Sequence, residues 1–322
     1  MRYSMTGATG FLGGELARQL VGAGHDVVAL VRDRSRATGL RAMGVELVEG
    51  DLDDRGALDE LMLGADGFFH VAGWYKHGLR EHEALRRVNI EGTRNALEAA
   101  RRAGVARTVY TSTIALNSDT EGEVVDEDYR FTGTHVTEYD RTKGVAHDVA
   151  EEYAAAGLPL VIVQPSVIYG PGDVGSTLGQ MTRQLVAGRT VLGPRGGGAC
   201  FAHVEDVARG HVLAMEQGRV GESYILAGPA AEHSEVLERT RELAGAGRVV
   251  LLPPAVIKVV AAVTAPLERL VRLPQPLTSE AARAGMATYY GTAGKAARDL
   301  GWTVRPLEEG LAETVAAIRA GE

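Results

Sequence analysis

Thr6-Gly7-Ala8-Thr9-Gly10-Phe11-Leu12-Gly13 follows a strand-like run at Arg2–Thr6 and opens a helical pattern. That context gives a glycine triplet its meaning. Gly7 permits the tight turn, Gly10 lets backbone approach a pyrophosphate, and Gly13 allows close helix–strand packing. The first N–H groups of the helix then face the phosphates. The turn predicts a dinucleotide site contacted by Gly7, Thr9, Gly10, Phe11, Leu12 and Gly13. The competing reading is a merely structural turn, in a chain with 41 glycines.

Outward from this turn, short β-branched runs alternate with helical patterns. Candidate strands are Arg2–Thr6, Asp26–Val31, Val45–Glu49, Gly67–Val71, Arg107–Ser112 and Leu160–Gln164, with Ser223–Ala227 expected to rejoin them. Glu15–Gly22 and Val88–Ala103 carry apolar residues at helical spacing. The alternation predicts an α/β chain with a Rossmann-type, doubly wound parallel sheet. After Gln164 the texture changes. Gly170–Gly175 and Gly193–Gly198 are loop-forming, and Pro253–Pro276 is rich in proline and aliphatics. These segments predict a smaller, discontinuous substrate lobe over the carboxyl ends of the strands, where such sheets bind ligands. The expected division is 1–166 for the dinucleotide-binding domain, rejoined by about 201–228, with 167–200 and 229–322 forming the lobe.

Composition narrows the partners. Hydrophobic residues make up 45% and charged residues 24% of the 322, the balance of an ordinary globular protein. A net charge of −8 argues against a nucleic-acid backbone as partner. The single cysteine, Cys200, cannot form an internal disulfide, so a cytoplasmic location is expected; no nucleophile signature surrounds it. A signal peptide does not fit a strand starting at Arg2. The most apolar stretch, Ala255–Ala265, is too short to span a bilayer. It is expected to be a buried or substrate-covering helix in preference to a membrane-surface segment, so no membrane partner and no metal are predicted. Lys76, Lys143, Lys258 and Lys295 are the lysines; all other cationic residues of the 34 are arginines. Where this chain uses lysine, an amine is needed rather than charge alone.

The end of the second strand chooses between dinucleotides. A carboxylate there would bind a ribose 2′-OH, an arginine a 2′-phosphate. Val31 stands in the acid's place and Arg32 follows, with Asp33 beyond it. NADP is therefore the preferred cofactor, NAD the possible one. The alternative is a solvated loop arginine beside Asp33. Asp51 and Leu52, after the third strand, could meet the adenine, although Asp51 could equally cap the helix starting near Asp53. His70-Val71-Ala72-Gly73 ends the fourth strand; Val71, Ala72 and Gly73 would let backbone approach the cofactor, while His70 reads as a buried packing residue.

Strand Val109-Tyr110-Thr111 runs into Ser112-Thr113, and Tyr139 precedes Lys143 by four. On a helix this spacing brings phenol and amine to one face. A phenol of pKa about 10 is a poor acid at neutral pH, and a nearby ammonium lowers that value. The Thr113 hydroxyl could hold a substrate oxygen while Tyr139 transfers its proton. The bland alternative is a surface Tyr and Lys without a role.

Together with Thr6–Gly13, Thr111–Thr113 and Tyr139–Lys143, the stretch Gln164-Pro165-Ser166-Val167-Ile168-Tyr169-Gly170-Pro171-Gly172-Asp173 resembles the extended short-chain dehydrogenase/reductases of the NAD-dependent epimerase/dehydratase type. The resemblance extends to Phe201–Ala208 and to Leu300-Gly301-Trp302 with Pro306–Gly310. It implies a nicotinamide cofactor and a Ser/Thr-Tyr-Lys triad, here with Thr113 where serine is usual. It also implies that Lys143 meets the nicotinamide ribose, that Asn89 lies near the active site, and that Pro165, Ser166 and Val167 approach the nicotinamide end. Thr111 and Tyr139 are counted with these cofactor contacts.

Three enzyme types share such a scaffold. The 4,6-dehydratases follow the triad hydroxyl with an acidic pair, whereas this chain has Ile114 and Ala115. Nucleotide-sugar epimerases carry an arginine just before the position of Phe201, whereas Ala199 and Cys200 stand here and Arg195 lies further upstream. The remaining resemblance is to the dihydroflavonol 4-reductase-like branch, which implies reduction of a ketone or aldehyde. Trp74, Tyr75, Thr113 and Tyr169, with other residues of 167–177, would line a pocket suited to a small carbonyl or alcohol substrate. Epimerisation stays an alternative, as does a non-catalytic dinucleotide sensor. A homodimer is expected through helices around Glu83–Arg102 and Tyr139–Ala156, with Val145, Ala146, Val149 and Ala150 available for contact or for facing the sheet.

Overall fold

The computed structural model describes residues 1–268, 270–271, 273–274 and 277–321. Pro276 and Glu322, at the ends of segments delimited above, lie outside the described residues. The strands in chain order are β1 (Arg2–Thr6), β2 (Asp26–Val31), β3 (Glu46–Glu49), β4 (Gly67–His70), β5 (Thr108–Thr111), β6 (Leu160–Pro165), β7 (Val167–Tyr169), β8 (Thr190–Pro194), β9 (Gly198–His203), β10 (Ser223–Leu226), β11 (Ala230–Glu232), β12 (Arg248–Leu252) and β13 (Thr288–Tyr289).

Seven of them form one sheet in the order β10-β6-β5-β4-β1-β2-β3, every pair parallel. Burial on both faces explains the near-continuous apolar runs. Val27, Ala29 and Val31 of β2 pack on one side with Leu12, Leu16 and Leu20 of the helix Phe11–Gly22 and Val207 of the helix Val204–Gln217. Val28 and Leu30 pack on the other side with Leu58, Leu97 and Ala146, from the helices Arg55–Leu61, Gly92–Ala103 and Glu138–Ala155. This is the Rossmann-like α/β architecture. The strand order reverses between β1 and β4, the switch point where such sheets open a ligand crevice.

Beyond β6 the chain builds a second layer, the sheet β11-β9-β13 with β7 on β9, beside the pair β12-β8. Two details differ from the expected division. Residues 201–203 lie in β9 of this smaller sheet, so the return to the large sheet starts at Val204. Ala296, Leu300 and Trp302, expected in the lobe, complete the core beside Val207 and Tyr224, and Trp302 Nε1 donates to the Asp206 carbonyl at 2.7 Å. Helix Gly294–Leu300 thus closes one flank of the large sheet.

The helix Pro254–Leu267 departs from one of its two expected readings, burial. Only Ile257 is buried along it, while Val256, Val259, Val263 and Leu267 are 42%, 63%, 61% and 40% exposed. Among the described residues no helix is long and apolar enough to cross a membrane.

Candidate active site

The turn after β1 is cut to glycine by its neighbours. Gly7 has φ +77°, and a Cβ there would lie 2.6 Å from the Ala72 nitrogen at the end of β4. A Cβ on Gly13 would meet the Gly7 carbonyl oxygen at 2.1 Å. Thr9 and Gly10 are exposed, Phe11 is partly exposed and Leu12 is buried below them. The helix Phe11–Gly22 starts at Gly10 without a side-chain cap and without an acid in its first turn. Its N–H groups are therefore left for an anion, which is the fit a pyrophosphate requires. Val71, Ala72 and Gly73 flank the turn from β4.

Arg32 is exposed and makes no hydrogen bond or ion pair among the described residues. Asp33 is engaged elsewhere: its carboxylate accepts from the Ser35 N–H at 2.8 Å and the Ser35 hydroxyl at 2.5 Å, which hold its pKa below the usual range. Arg34 leans on Glu49 at 3.5 Å. At the end of β3 the two readings of Asp51 separate. The following helix is Arg55–Leu61 and its cap is Asp54, accepting from the Ala57 N–H at 3.0 Å. Asp51 instead accepts from its neighbour Leu52 at 2.6 Å. Leu52 is buried, with its carbonyl accepting from Asn95 at 3.0 Å.

Thr113 follows β5, and Tyr139 and Lys143 ride on the first turns of Glu138–Ala155. That helix is capped by Thr137, whose hydroxyl accepts from the Asp140 N–H at 3.1 Å. The Thr113 hydroxyl donates to the Pro165 carbonyl at 3.3 Å and accepts from the Ala115 N–H at 3.2 Å. Lys143, 4% exposed, donates to the Thr111 carbonyl at 2.9 Å and to the Tyr110 hydroxyl at 3.0 Å. Burial lowers its pKa to about 8, opposed by the Tyr139 charge. The phenol corrects a simple expectation. Lys143 and the Thr113 hydroxyl do pull its pKa down, but desolvation outweighs both and the balance stays above the ordinary value.

Asn89 lies on a wide turn, Arg86–Glu91, and brackets the start of the next loop. Its Oδ1 accepts from the Trp74 N–H at 2.7 Å, and its Nδ2 donates to the Trp74 carbonyl at 2.9 Å and to Thr142 at 3.2 Å. Trp74 is further fixed by donating Nε1 to Glu81 at 3.0 Å. Tyr75 is 54% exposed, and its hydroxyl sits where a Cβ on Gly175 would come within 2.4 Å. The two predicted pocket walls therefore meet. Ser166 and Val167 lie at the β6–β7 junction, where Ser166 Oγ is tied to the Leu226 carbonyl at 3.4 Å.

Two assigned residues sit elsewhere. Tyr169 is 2% exposed inside the lobe and donates to the Leu307 carbonyl at 3.3 Å, its ring filling the space that Gly310 leaves. It does not line the pocket. The Thr111 side chain turns to His211 at 2.9 Å, and its carbonyl alone reaches Lys143. His70 is fully buried between Thr6 and Thr93, at 2.7 and 3.1 Å, and burial pushes its pKa down to about 3. Cys200 is buried and its thiol is pushed up by desolvation, the opposite of an activated nucleophile.

Sequence reading missed Tyr110 and Glu280. Tyr110 is fully buried with its hydroxyl on Lys143, and a buried tyrosine hydroxyl calls for such a partner. Glu280 is buried and accepts from the Gly78 N–H at 2.7 Å and the Glu138 N–H at 3.1 Å, tying the Trp74 loop to the helix Glu138–Ala155. No local pattern announces it.

Residues 3–227 match the family model described as NAD dependent epimerase/dehydratase family. The chain belongs to that family. It is an NAD(P)-dependent oxidoreductase of the extended short-chain dehydrogenase/reductase type, dependent on a nicotinamide dinucleotide. A protein of Synechocystis sp. provisionally named dihydroflavonol 4-reductase is 34% identical, over 97% of this chain and 93% of the relative. Sterol demethylase protein B of Methylococcus capsulatus is 34% identical, over 82% of this chain and 81% of its own. The crystal structure of gox2253 superposes with a TM-score of 0.81 at 31% identity, covering 99% of this chain and 98% of that one.

Proposed function

We propose that this member of the epimerase/dehydratase family is an NADP(H)-dependent carbonyl reductase acting on a ketone or aldehyde, or on the alcohol in reverse. The observation that carries the reading is that Lys143, one turn from Tyr139 on the same helix, is held on the Thr111 carbonyl at 2.9 Å, two residues before Thr113. When bound, the nicotinamide supplies or accepts the hydride.

In the reducing direction Thr113 Oγ1 and Tyr139 Oη hold the substrate oxygen. Tyr139 gives its proton to that oxygen as hydride reaches the carbon, so carbonyl, hydride and proton sum to the alcohol. Lys143 stabilises the phenolate left behind against the penalty of burial. Asn89 sets the Trp74–Tyr75 wall. An exposed Arg32 behind Val31, with no ion pair among the described residues, favours NADP, because a guanidinium matches a 2′-phosphate and the acid beside it, Asp33, is held by Ser35. The reductase name of the Synechocystis relative supports carbonyl reduction. Ile114 and Ala115 supply no acid for eliminating water.

For a homodimer through the helices 83–102 and 139–156, Ala146, Val149 and Ala150 are already buried within one chain, which leaves the half-buried Val145 of the four apolar positions for contact. Light scattering decides that point. The catalytic reading is tested by following NADPH consumption against a panel of ketones and aldehydes. Turnover with at least one supports it; NADPH binding without consumption of any would leave a dinucleotide sensor.

A further inference from the structure

The helix Pro254–Leu267 and the turn after it carry aliphatic surface that the protein itself does not cover. Val256, Val259, Val263, Leu267 and Leu270 recur at helical spacing, and Leu270 is 77% and Val271 46% exposed. A contiguous exposed row of this kind marks an interaction surface.

The charges nearby are selective. Between Pro253 and Pro276 the ionisable residues are Lys258, Glu268, Arg269 and Arg272. The single carboxylate is withdrawn: Glu268 is 3% exposed and accepts from the Leu79 N–H at 3.1 Å and the Ser279 N–H at 2.5 Å. Lys258 is the charged residue of the helix itself, and Arg269 and Arg272 follow it in sequence, on a chain whose net charge is −8. Aliphatic residues with Lys258 among them, on a helix of 14 residues whose sequence continues into two arginines, match an anionic lipid surface and are too short to span one.

The same segment is bolted to the candidate cleft. Arg80 donates to the Glu268 carbonyl at 3.2 Å and the Leu270 carbonyl at 3.1 Å. Two residues before Leu79, the His77 ring meets the Tyr139 ring edge-on at 6.0 Å. In the same loop Tyr75 is 54% exposed, with its hydroxyl beside Gly175, and the neighbouring Val174 is 68% exposed.

We propose that the helix Pro254–Leu267, with the turn to Val271, seats the protein on an anionic lipid surface, and that its substrate is an apolar carbonyl compound taken from that surface. The second half rests on the reductase reading above. The seated helix brings the Trp74–Arg80 loop, and with it the cleft mouth, to the lipid boundary. An apolar substrate then reaches Tyr139 without crossing water.

The test is co-sedimentation of the full chain with vesicles of phosphatidylcholine alone or mixed with phosphatidylglycerol. Binding is expected only to the mixed vesicles, weakened by salt and reduced at least about tenfold in V259D/V263D. NADPH titration and melting temperature check that the variant is folded. Absence of wild-type binding, or equal binding by a folded variant, overturns the proposal. So does a dimer by light scattering that V259D/V263D converts to monomer without any vesicle binding, which would assign the row to a second copy. A failure here is distinct from a failure of the reductase reading: vesicle binding without carbonyl turnover removes the latter alone. Turnover of a short soluble ketone without vesicle binding removes the former alone. If both hold, a long-chain ketone presented in mixed vesicles should show a KM at least about tenfold lower for wild type than for V259D/V263D; equal KM overturns the substrate half.

Discussion

Lys143 donates its buried ammonium to the hydroxyl of Tyr110 at 3.0 Å, while Tyr139 stands four residues before it on the same helix. The amine thus acts on the Tyr139 phenol as a nearby charge, and Tyr110 holds the amine in place.

Tyr110→Phe should therefore expose the role of that anchor. The Lys143 ammonium keeps the Thr111 carbonyl but loses a buried acceptor, which costs about 1–3 kcal/mol of stability. Turnover should fall while NADPH affinity changes little. Chemical denaturation and cofactor titration check both, and an unchanged denaturation midpoint would contradict the anchoring.

Burial lowers the Lys143 pKa to about 8, below the value of an unfolded lysine. The unfolded chain then holds more protons than the native one between that pH and about 10.4, so stability contributed here rises with pH across the window. Lys143→Met should lack this rise. Activity needing the ammonium should decline above about pH 8. Melting curves of both proteins across this range provide the comparison, and parallel curves would refute it.

Asp140 titrates in the opposite sense. Burial raises its carboxyl to about 7, despite hydrogen bonds from Thr137, Tyr289 and Ser118. Its folded pKa lies above the unfolded value, so its contribution is fully present at low pH and lost as pH rises toward 7. Wild type should lose stability relative to Asp140→Asn between pH 4 and 7, read by thermal melts. A difference that stays constant with pH would reject this.

Glycine packing yields a paired test. Gly13→Ala would place a methyl 2.1 Å from the Gly7 carbonyl and should cost about 1–3 kcal/mol and most dinucleotide affinity. In the same helix Gly22→Ala meets nothing within 4 Å and should stabilise by about 0.4–1 kcal/mol. Equal effects would show that the turn is not built as described.

Arg32→Ala should weaken NADPH by about 1.5–3 kcal/mol, roughly ten- to a hundredfold, and leave NADH unchanged. Fluorescence titration reads both. Equal wild-type affinity for the two dinucleotides would end the NADP preference.

Much of the large sheet was legible because its strands are buried on both faces, so each announces itself as a β-branched run between a turn and a helix. β1 and β2 match their sequence limits, and β3, β4, β5, β6 and β10 differ by a residue at one or both ends. The convergence of Tyr139 and Lys143 was legible for a local reason, helical spacing. What escaped depends on distant partners. Tyr169 belongs to a three-residue strand, too short for alternation to tell cleft from core, and its place is set by Gly310 and Leu307. Trp302 rejoins the large sheet through Asp206. The apolar run at 255–265 read as buried or substrate-covering, and its exposure escaped because composition cannot say what covers a helix.

The central claim is that Tyr139 supplies the proton. The direct measurement is single-turnover oxidation of bound NADPH by a carbonyl substrate in wild type and Tyr139→Phe, with NADPH affinity measured alongside. The account predicts unchanged NADPH binding and a rate lowered by about 10²–10⁴-fold, the usual contribution of a positioned acid. Turnover by Tyr139→Phe at the wild-type rate would contradict it.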